Sequence, residues 1–355
     1  MSDSVHERAP SDTAAQLPTD NYTDVIAAFP DPPAPSAACR NEADLLAWQQ
    51  DFHATLAHLR GWVPTRVEPV VEVLDEVNLG DHRRLTLRIA VSQISSVVSY
   101  LLIPTDTAGA EQRPGLVALH GHYRHGIDSI CGVRIESDDP DNDERHAYAL
   151  HAVRAGFVVI SPALWGWPGR DGDRERIGTR DRCNTILMAS AMYGVNPLDL
   201  HLQDALAALD VLCARDEVDA ARIGCLGNST GGRMTMWLAL TDQRIQACVP
   251  SGCMNTFRER SRGLKSCGIQ YPFGLLQHGD VADLFSLIAP RPMQLHAGEG
   301  DTLITPAHRD DMLEHLRRVY SMLDASEQLD YVYHDAGHLL DWPQAAPFLH
   351  RHLGG

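Results

Sequence analysis

Positive charge is scarce in this sequence. Thirty Lys and Arg residues face 47 Asp and Glu, for a formal net charge of −17. A surface with that balance repels nucleic acid and anionic lipid, so neither is an expected partner. No apolar stretch approaches the ~20 residues that a membrane-spanning helix needs. The first ten residues, MSDSVHERAP, lack a basic segment followed by an apolar core, so no secretory leader is expected and the expected compartment is the cytoplasm. The eight cysteines, Cys39, Cys131, Cys183, Cys213, Cys225, Cys248, Cys253 and Cys267, include no Cys-x-x-Cys pair. A disulfide framework belongs to short secreted chains, and this chain has 355 residues, so buried free thiols are the expectation. No internal repeat is present, which excludes a solenoid.

What is there is ordinary globular material, 44% hydrophobic and 22% charged, enough apolar mass for a large core. Residues 1–38 are rich in Pro, Ala, Asp and Ser and read as a flexible N-terminal arm. Residues 39–84 read as a helix and strand extension: 42–60 carries apolar residues at helical spacing and stops at Gly61, and the period then changes to strand alternation over 67–79 and 82–91 around Gly80-Asp81. From 85 to 355 a catalytic domain is expected. Strand-like runs at 95–104, 113–122, 157–163, 221–229, 246–252, 292–301 and 329–338 alternate with helical ones at 146–156, 197–215, 231–241 and 308–323 and at the chain end. Antiparallel hairpins followed by strand–helix units predict an α/β fold with a mostly parallel central sheet flanked by helices. Two stretches, 164–195 and 252–280, lack a clean period and follow strand ends, where such sheets place ligands; they are expected to form a cap.

The sharpest motif is Gly227-Asn228-Ser229-Thr230-Gly231-Gly232. It matches G-x-S-x-G with a strand before it and a helix after it, the context of a nucleophile elbow. Glycines on either side let the tight turn form, and the serine oxygen then sits at a helix N-terminus that favours developing negative charge. A serine hydroxyl is a weak nucleophile and needs a base, itself oriented by an acid. In such elbows the partners follow in the order serine, acid, histidine. Asp301 ends a strand and opens a loop, and His338 follows the next strand; 72 residues separate Ser229 from Asp301 and 37 separate Asp301 from His338. Glu299 competes for the role of acid, and His334, inside a strand, is read as packing. The expected oxyanion hole is the backbone N–H of Thr230 with that of His122, Gly121 allowing close approach. The histidines 120, 122 and 125 lack the acidic partner and further ligands of a zinc site, so neither metal nor cofactor is expected.

With these residues placed, the chain resembles the α/β-hydrolase superfamily, and within it the dienelactone-hydrolase-like and acetyl-xylan-esterase-like branch. The resemblance spans roughly 85–353 and is carried most specifically by the segment DLHLQDALAALDVLCARDEVDAARIGCLGNSTGGRMTMWLALTDQRIQACVPSG and by SLIAPRPMQLHAGEGDTLITP. It implies an α/β-hydrolase fold with cap or lid insertions and an N-terminal extension. It also implies cofactor-free hydrolysis of a small-molecule carboxylic ester through an acyl-enzyme, with deacetylation of a sugar or natural product among the readings. Lactone, amide, C–C bond hydrolysis, acyl transfer and a non-catalytic binding role stay open. Dienelactone hydrolases carry a cysteine nucleophile where this chain has Ser229. Prolyl-oligopeptidase-like peptidases share the elbow, but the roughly 200 residues before Ser229 leave no room for a propeller. Residues 1–84 are left to shield the site or to make a homo-oligomer contact. Trp165 and Trp167, at a strand end, and Met188, Met192 and Tyr193 are candidates either for the substrate pocket or for cap packing, and the acidic run 136–146 reads as a solvated loop.

Overall fold

The computed structural model describes residues 21–61, 64–105, 112–134, 144–167, 169–178, 181–263 and 267–354. A nine-stranded sheet runs through the molecule: β1 (Val71–Asn78), β2 (His82–Ser92), β3 (Ser95–Pro104), β4 (Arg113–Leu119), β5 (Val158–Pro162), β6 (Val218–Asn228), β7 (Ile245–Ser251), β8 (Met293–Gly298) and β9 (Leu329–His334). Their order is β1-β2-β3-β5-β4-β6-β7-β8-β9. The first three pair antiparallel, as does β3 with β5; every pair from β5 to β9 is parallel.

The sequence explains the contrast between the two halves. In β2 the apolar residues Leu85, Leu87, Ile89 and Val91 alternate inward, as a one-sided antiparallel strand requires. The edge strand β1 is almost wholly exposed and carries Glu72, Asp75 and Glu76, charges that discourage pairing with another chain. The parallel strands β5 and β8 are buried along their whole length, which demands helices on both faces. One core joins the helices Pro197–Cys213, Thr230–Thr241 and Pro306–Met322 to one face of the sheet. A second joins the helices Tyr148–Arg154 and Trp342–Leu353 to the other. This is the mostly parallel, helix-flanked α/β-hydrolase architecture expected from the alternation of periods.

The N-terminal region departs from expectation. Residues 1–20 of the expected arm lie outside the described residues, but 21–38 is not a loose arm. It holds two short helices, Tyr22–Ala27 and Pro35–Ala38, docked on the body. Ser36 is buried; its N–H and hydroxyl both donate to Asp283 Oδ1, at 3.0 and 2.6 Å. The Arg258 guanidinium donates to the carbonyls of Ile26, Ala27 and Phe29. A Pro- and Ala-rich composition cannot build its own core, but it can be held by polar groups of a core built elsewhere. Nor is 39–84 separate: helix Glu42–Arg60, capped by the Asn41 side chain, buries Leu45, Phe52 and Leu56 in the main core, and β1 extends the common sheet.

All eight cysteines are free thiols, six of them buried. No helix among the described residues is long and apolar enough to cross a membrane. Most of the acidic run, 136–143, lies outside the described residues.

Candidate active site

From β4 the chain goes to β5 on one side and then crosses back past β4 to β6 on the other, so β4 and β6 flank the point where the strand order reverses. Crevices form beyond the carboxyl ends of strands at such points. The β6 end carries Ser229, at the N-cap of helix Thr230–Thr241 with φ 63° and ψ −121°. A non-glycine residue held there stores about 1–3 kcal/mol of backbone strain. Its neighbours explain how the turn survives. A Cβ on Gly227 would lie 2.5 Å from the Leu119 carbonyl oxygen and 2.6 Å from the Gly231 backbone, and one on Gly231 would overlap that same carbonyl outright. Strand and helix meet so closely that only hydrogen fits at either position. Gly231→Ala is therefore expected to cost ~3 kcal/mol or more, measured by urea unfolding; a change below about 0.5 kcal/mol would show that the elbow is not tight.

His338 lies beyond β9 and Asp301 beyond β8. The His338 Nδ1 is 2.7 Å from Asp301 Oδ2, and the carboxylate is nearly fully buried. The other oxygen, Oδ1, accepts the Leu303 N–H at 2.9 Å. The two loops are interlocked: a Cβ on Gly298 would strike the carbonyls of Ala336 and Gly337, and the Gly300 N–H donates to the Ala336 carbonyl at 3.2 Å. Glu299, the competing acid, is exposed, and its backbone N–H bonds the His334 carbonyl at 2.8 Å. The far nitrogen of His338, Nε2, is buried with no hydrogen-bond partner among the described residues. It belongs to a cavity of about 450 Å³ that Ser229 also lines. Serine and imidazole thus share one cavity without the Oγ–Nε2 hydrogen bond formed, a bond that in such sites often tightens only when substrate binds.

Asn228, which was not singled out from sequence, ties the pieces together. Fully buried, its Nδ2 donates to Tyr123 Oη and to the His338 carbonyl, both at 3.0 Å, and its Oδ1 lies 3.0 Å from Ser251 Oγ. One amide therefore spans the loop after β4, the elbow and the histidine loop. The loop after β4 passes hard against the serine: a Cβ on Gly121 would lie 3.1 Å from Ser229 Cβ and 2.8 Å from the Asn228 carbonyl. His122, next along, is exposed; its Nδ1 is 2.5 Å from Thr230 Oγ1, which also accepts from Gln270 Nε2 at 2.8 Å. Thr230 starts the helix, where backbone N–H groups have no intrahelical acceptor.

The three neighbouring histidines part company. His120 is buried, with Nδ1 2.8 Å from the Gly121 carbonyl and Nε2 accepting the Leu164 N–H at 3.0 Å; burial pulls it down to about 4. Both of its nitrogens are used to pin the end of β4 to the segment after β5. His122 Nε2 instead lies 3.3 Å from Cys183 Sγ. A hydrogen bond with Cys267, with help from His122, brings the Cys183 thiol down to about 6 against the opposing effect of burial.

Of the expected pocket residues, none lines the cavity at Ser229. Trp167 is buried behind the loop after β4, donating Nε1–H to the Tyr123 carbonyl at 2.8 Å and packing its ring on His120 and His122. Trp165 lies under the Arg170 guanidinium, 3.9 Å from ring to cation, where Arg170 pairs with buried Asp204. Met188 is exposed, and Met192 and Tyr193 are each 81% exposed, at and beyond the far end of helix Arg182–Ala191. It is the first turn of that helix, Cys183 and Asn184, that meets the cavity, together with Asp181 before it. Arg260, Cys267 and Gln270 line it from the second irregular segment. Both irregular stretches thus wall the cavity, through polar residues rather than the aromatic and Met side chains expected. Those polar residues have no period or motif to mark them.

The fold and site have recognisable relatives. A family model described as the prolyl oligopeptidase family matches residues 198–352. A protein of Bacillus subtilis (strain 168) named as the hydrolase YtaP is 28% identical over 290 residues, covering 80% of this chain and 91% of that protein. Among solved structures, one described as an acetyl xylan esterase of Bacteroides fragilis NCTC 9343 is similar with a TM-score of 0.72 at 16% identity, covering 91% of this chain and 84% of that one. A glucuronoyl esterase of Solibacter usitatus is similar with a TM-score of 0.65 at 15% identity, covering 93% and 100%. The peptidase family match falls on the region from helix Pro197–Cys213 to the chain end and includes none of the strands before β6. The sheet order, the elbow and these likenesses together show that the chain has the α/β-hydrolase fold.

Proposed function

We propose that this chain is a serine hydrolase that cleaves a carboxylic ester through an acyl-enzyme, with Ser229 as nucleophile, His338 as general base and Asp301 orienting the base. The observation that carries the reading is the shared cavity: a Ser229 on strained backbone and the unpartnered Nε2 of a His338 whose other nitrogen is held by a buried carboxylate at 2.7 Å. With Nδ1–H donated to Asp301, Nε2 is left as the basic nitrogen, free to take the serine proton as the oxygen attacks the ester carbonyl. The oxyanion that forms is received by the N–H groups of Thr230 and His122. The imidazolium then protonates the departing alcohol, and water repeats the cycle to release the acid.

The polar lining favours a hydroxyl-rich or charged leaving group over a long alkyl chain: Asp181, Asn184, Arg260 and Gln270 are among the hydrogen-bonding groups that line the cavity. An acetylated or otherwise esterified sugar or natural product fits that chemistry, and the likeness to the two carbohydrate esterases supports it. A second reading, the same triad acting on an amide or peptide bond, is favoured by the prolyl oligopeptidase family match.

A fluorophosphonate probe followed by peptide mapping tests the site. Labelling confined to Ser229, with a burst of p-nitrophenol from p-nitrophenyl acetate, is expected. A folded protein that takes no label would leave a binding role as the better reading. A panel of acetyl sugars, lactones and peptides separates the two hydrolytic readings.

A further inference from the structure

His122 follows β4, Cys183 opens the helix Arg182–Ala191, and Cys267 lies beyond the helix Phe257–Gly263, so three remote segments converge. One ligand atom from each lies within 4.8 Å of the other two. All three residues line the cavity of Ser229 and His338. We propose that His122, Cys183 and Cys267 form a binding site for a thiophilic divalent cation, Zn²⁺ foremost, in the wall of that cavity.

One imidazole and two thiolates are the donor set that zinc prefers over harder cations. Tetrahedral bonds of about 2.0–2.3 Å place ligand atoms roughly 3.5–3.8 Å apart, so the observed spread closes with shifts of about an ångström. The outer partners are already in position. With the ion on Nε2, the His122 proton sits on Nδ1 and donates to Thr230 Oγ1, 2.5 Å away, while Gln270 holds the same oxygen at 2.8 Å. A threonine oxygen has two lone pairs, so both donors are accommodated, and the ring is fixed as metal-bound histidines are. Exposed His122 and half-buried Cys267 give the ion a way in, and buried Cys183 gives it a dry floor. Both Zn–S bonds are made by thiolates, so binding displaces whatever protons the two thiols still carry. Three protein ligands leave a fourth position open, and because all three line the cavity of Ser229, the ion is an occupant of that cavity and an inhibitor. The binding claim does not depend on the esterase reading; the inhibition does.

The test uses the full chain, reduced and stripped of metal, titrated with Zn²⁺ against a chromogenic chelator and separately with Co²⁺. One equivalent of zinc should bind, cobalt should give thiolate-to-metal charge-transfer absorption, and Cys183→Ser or Cys267→Ser should weaken zinc at least about 100-fold, while Cys213→Ser, outside the cluster, should not. Zinc binding unaltered in both cluster variants, or no cobalt–thiolate band, overturns the site. So does a Cys183–Cys267 disulfide whose reduction brings no metal uptake. Should the variants misfold, zinc K-edge absorption on the unaltered protein decides: two sulfur scatterers at about 2.3 Å are expected, and none refutes the site. Zinc should also slow fluorophosphonate labelling of Ser229 at least tenfold, reversed by chelator; if Ser229 takes no label even without zinc, the esterase reading fails while the cobalt band still stands.

Discussion

Ser229→Ala is expected to lower kcat for p-nitrophenyl acetate on the order of 10⁶-fold and to abolish the burst. The substitution removes the only atom that forms the covalent bond, while the oxyanion N–H groups, the His338–Asp301 pair and the cavity remain. What survives should be the modest acceleration that binding and oxyanion stabilisation give alone. Alanine faces the same backbone penalty at φ 63° that serine does, so the fold should tolerate it and the melting temperature should stay within a few degrees. That control separates loss of chemistry from loss of structure. Activity within tenfold of the parent, in a protein folded to the same degree, would remove Ser229 from the mechanism.

Asp301→Asn comes next, with an expected loss in kcat of about 10⁴-fold. The side chains are nearly the same size, and the Leu303 N–H can still be accepted, so the loop should keep its shape. What changes is the partner offered to His338 Nδ1. An aspartate can only accept, which fixes the proton on Nδ1 and leaves Nε2 basic. An asparagine can turn its NH₂ to the ring, which moves the proton to Nε2 and aims the wrong tautomer at the serine. It also withdraws the charge that stabilises the imidazolium. Glu299→Gln, two residues away but exposed, should change kcat less than about threefold, in line with other exposed substitutions. A reversed pair of results would hand the role of acid to Glu299.

The sequence made the framework readable because the framework obeys periodicity. Helices such as Pro197–Cys213 and strands such as β2 have apolar residues recurring at the spacing their geometry demands, and the elbow is written in contiguous glycines. The polarity of the Ser229–Asp301–His338 order could be read because each residue terminates a periodic segment. The cavity wall could not. Asp181, Cys183, Arg260 and Gln270 come from stretches whose conformation is set by what they pack on, so nothing local distinguishes them from neighbours that face away. Trp165 and Trp167 drew attention as large aromatics at a strand end, yet Trp167 is buried behind the loop after β4 and half-buried Trp165 lies under Arg170. His122 was grouped with His120 and His125 by proximity in the chain, whereas the fold paired it with thiols 61 and 145 residues away.

The docking of residues 21–38 has an outcome at the cavity of Ser229. The arginine that grips the carbonyls of Ile26, Ala27 and Phe29 belongs to the same short helix, Phe257–Gly263, that carries Arg260 into the wall of the Ser229 cavity, and Asp31 reaches Arg258 and Arg262 on that helix as well. The N-terminal stretch therefore works as a brace, holding the helix that carries a cavity-lining cation in place. Editing this strut could reshape the cavity wall while leaving Ser229, His338 and the sheet beneath them untouched.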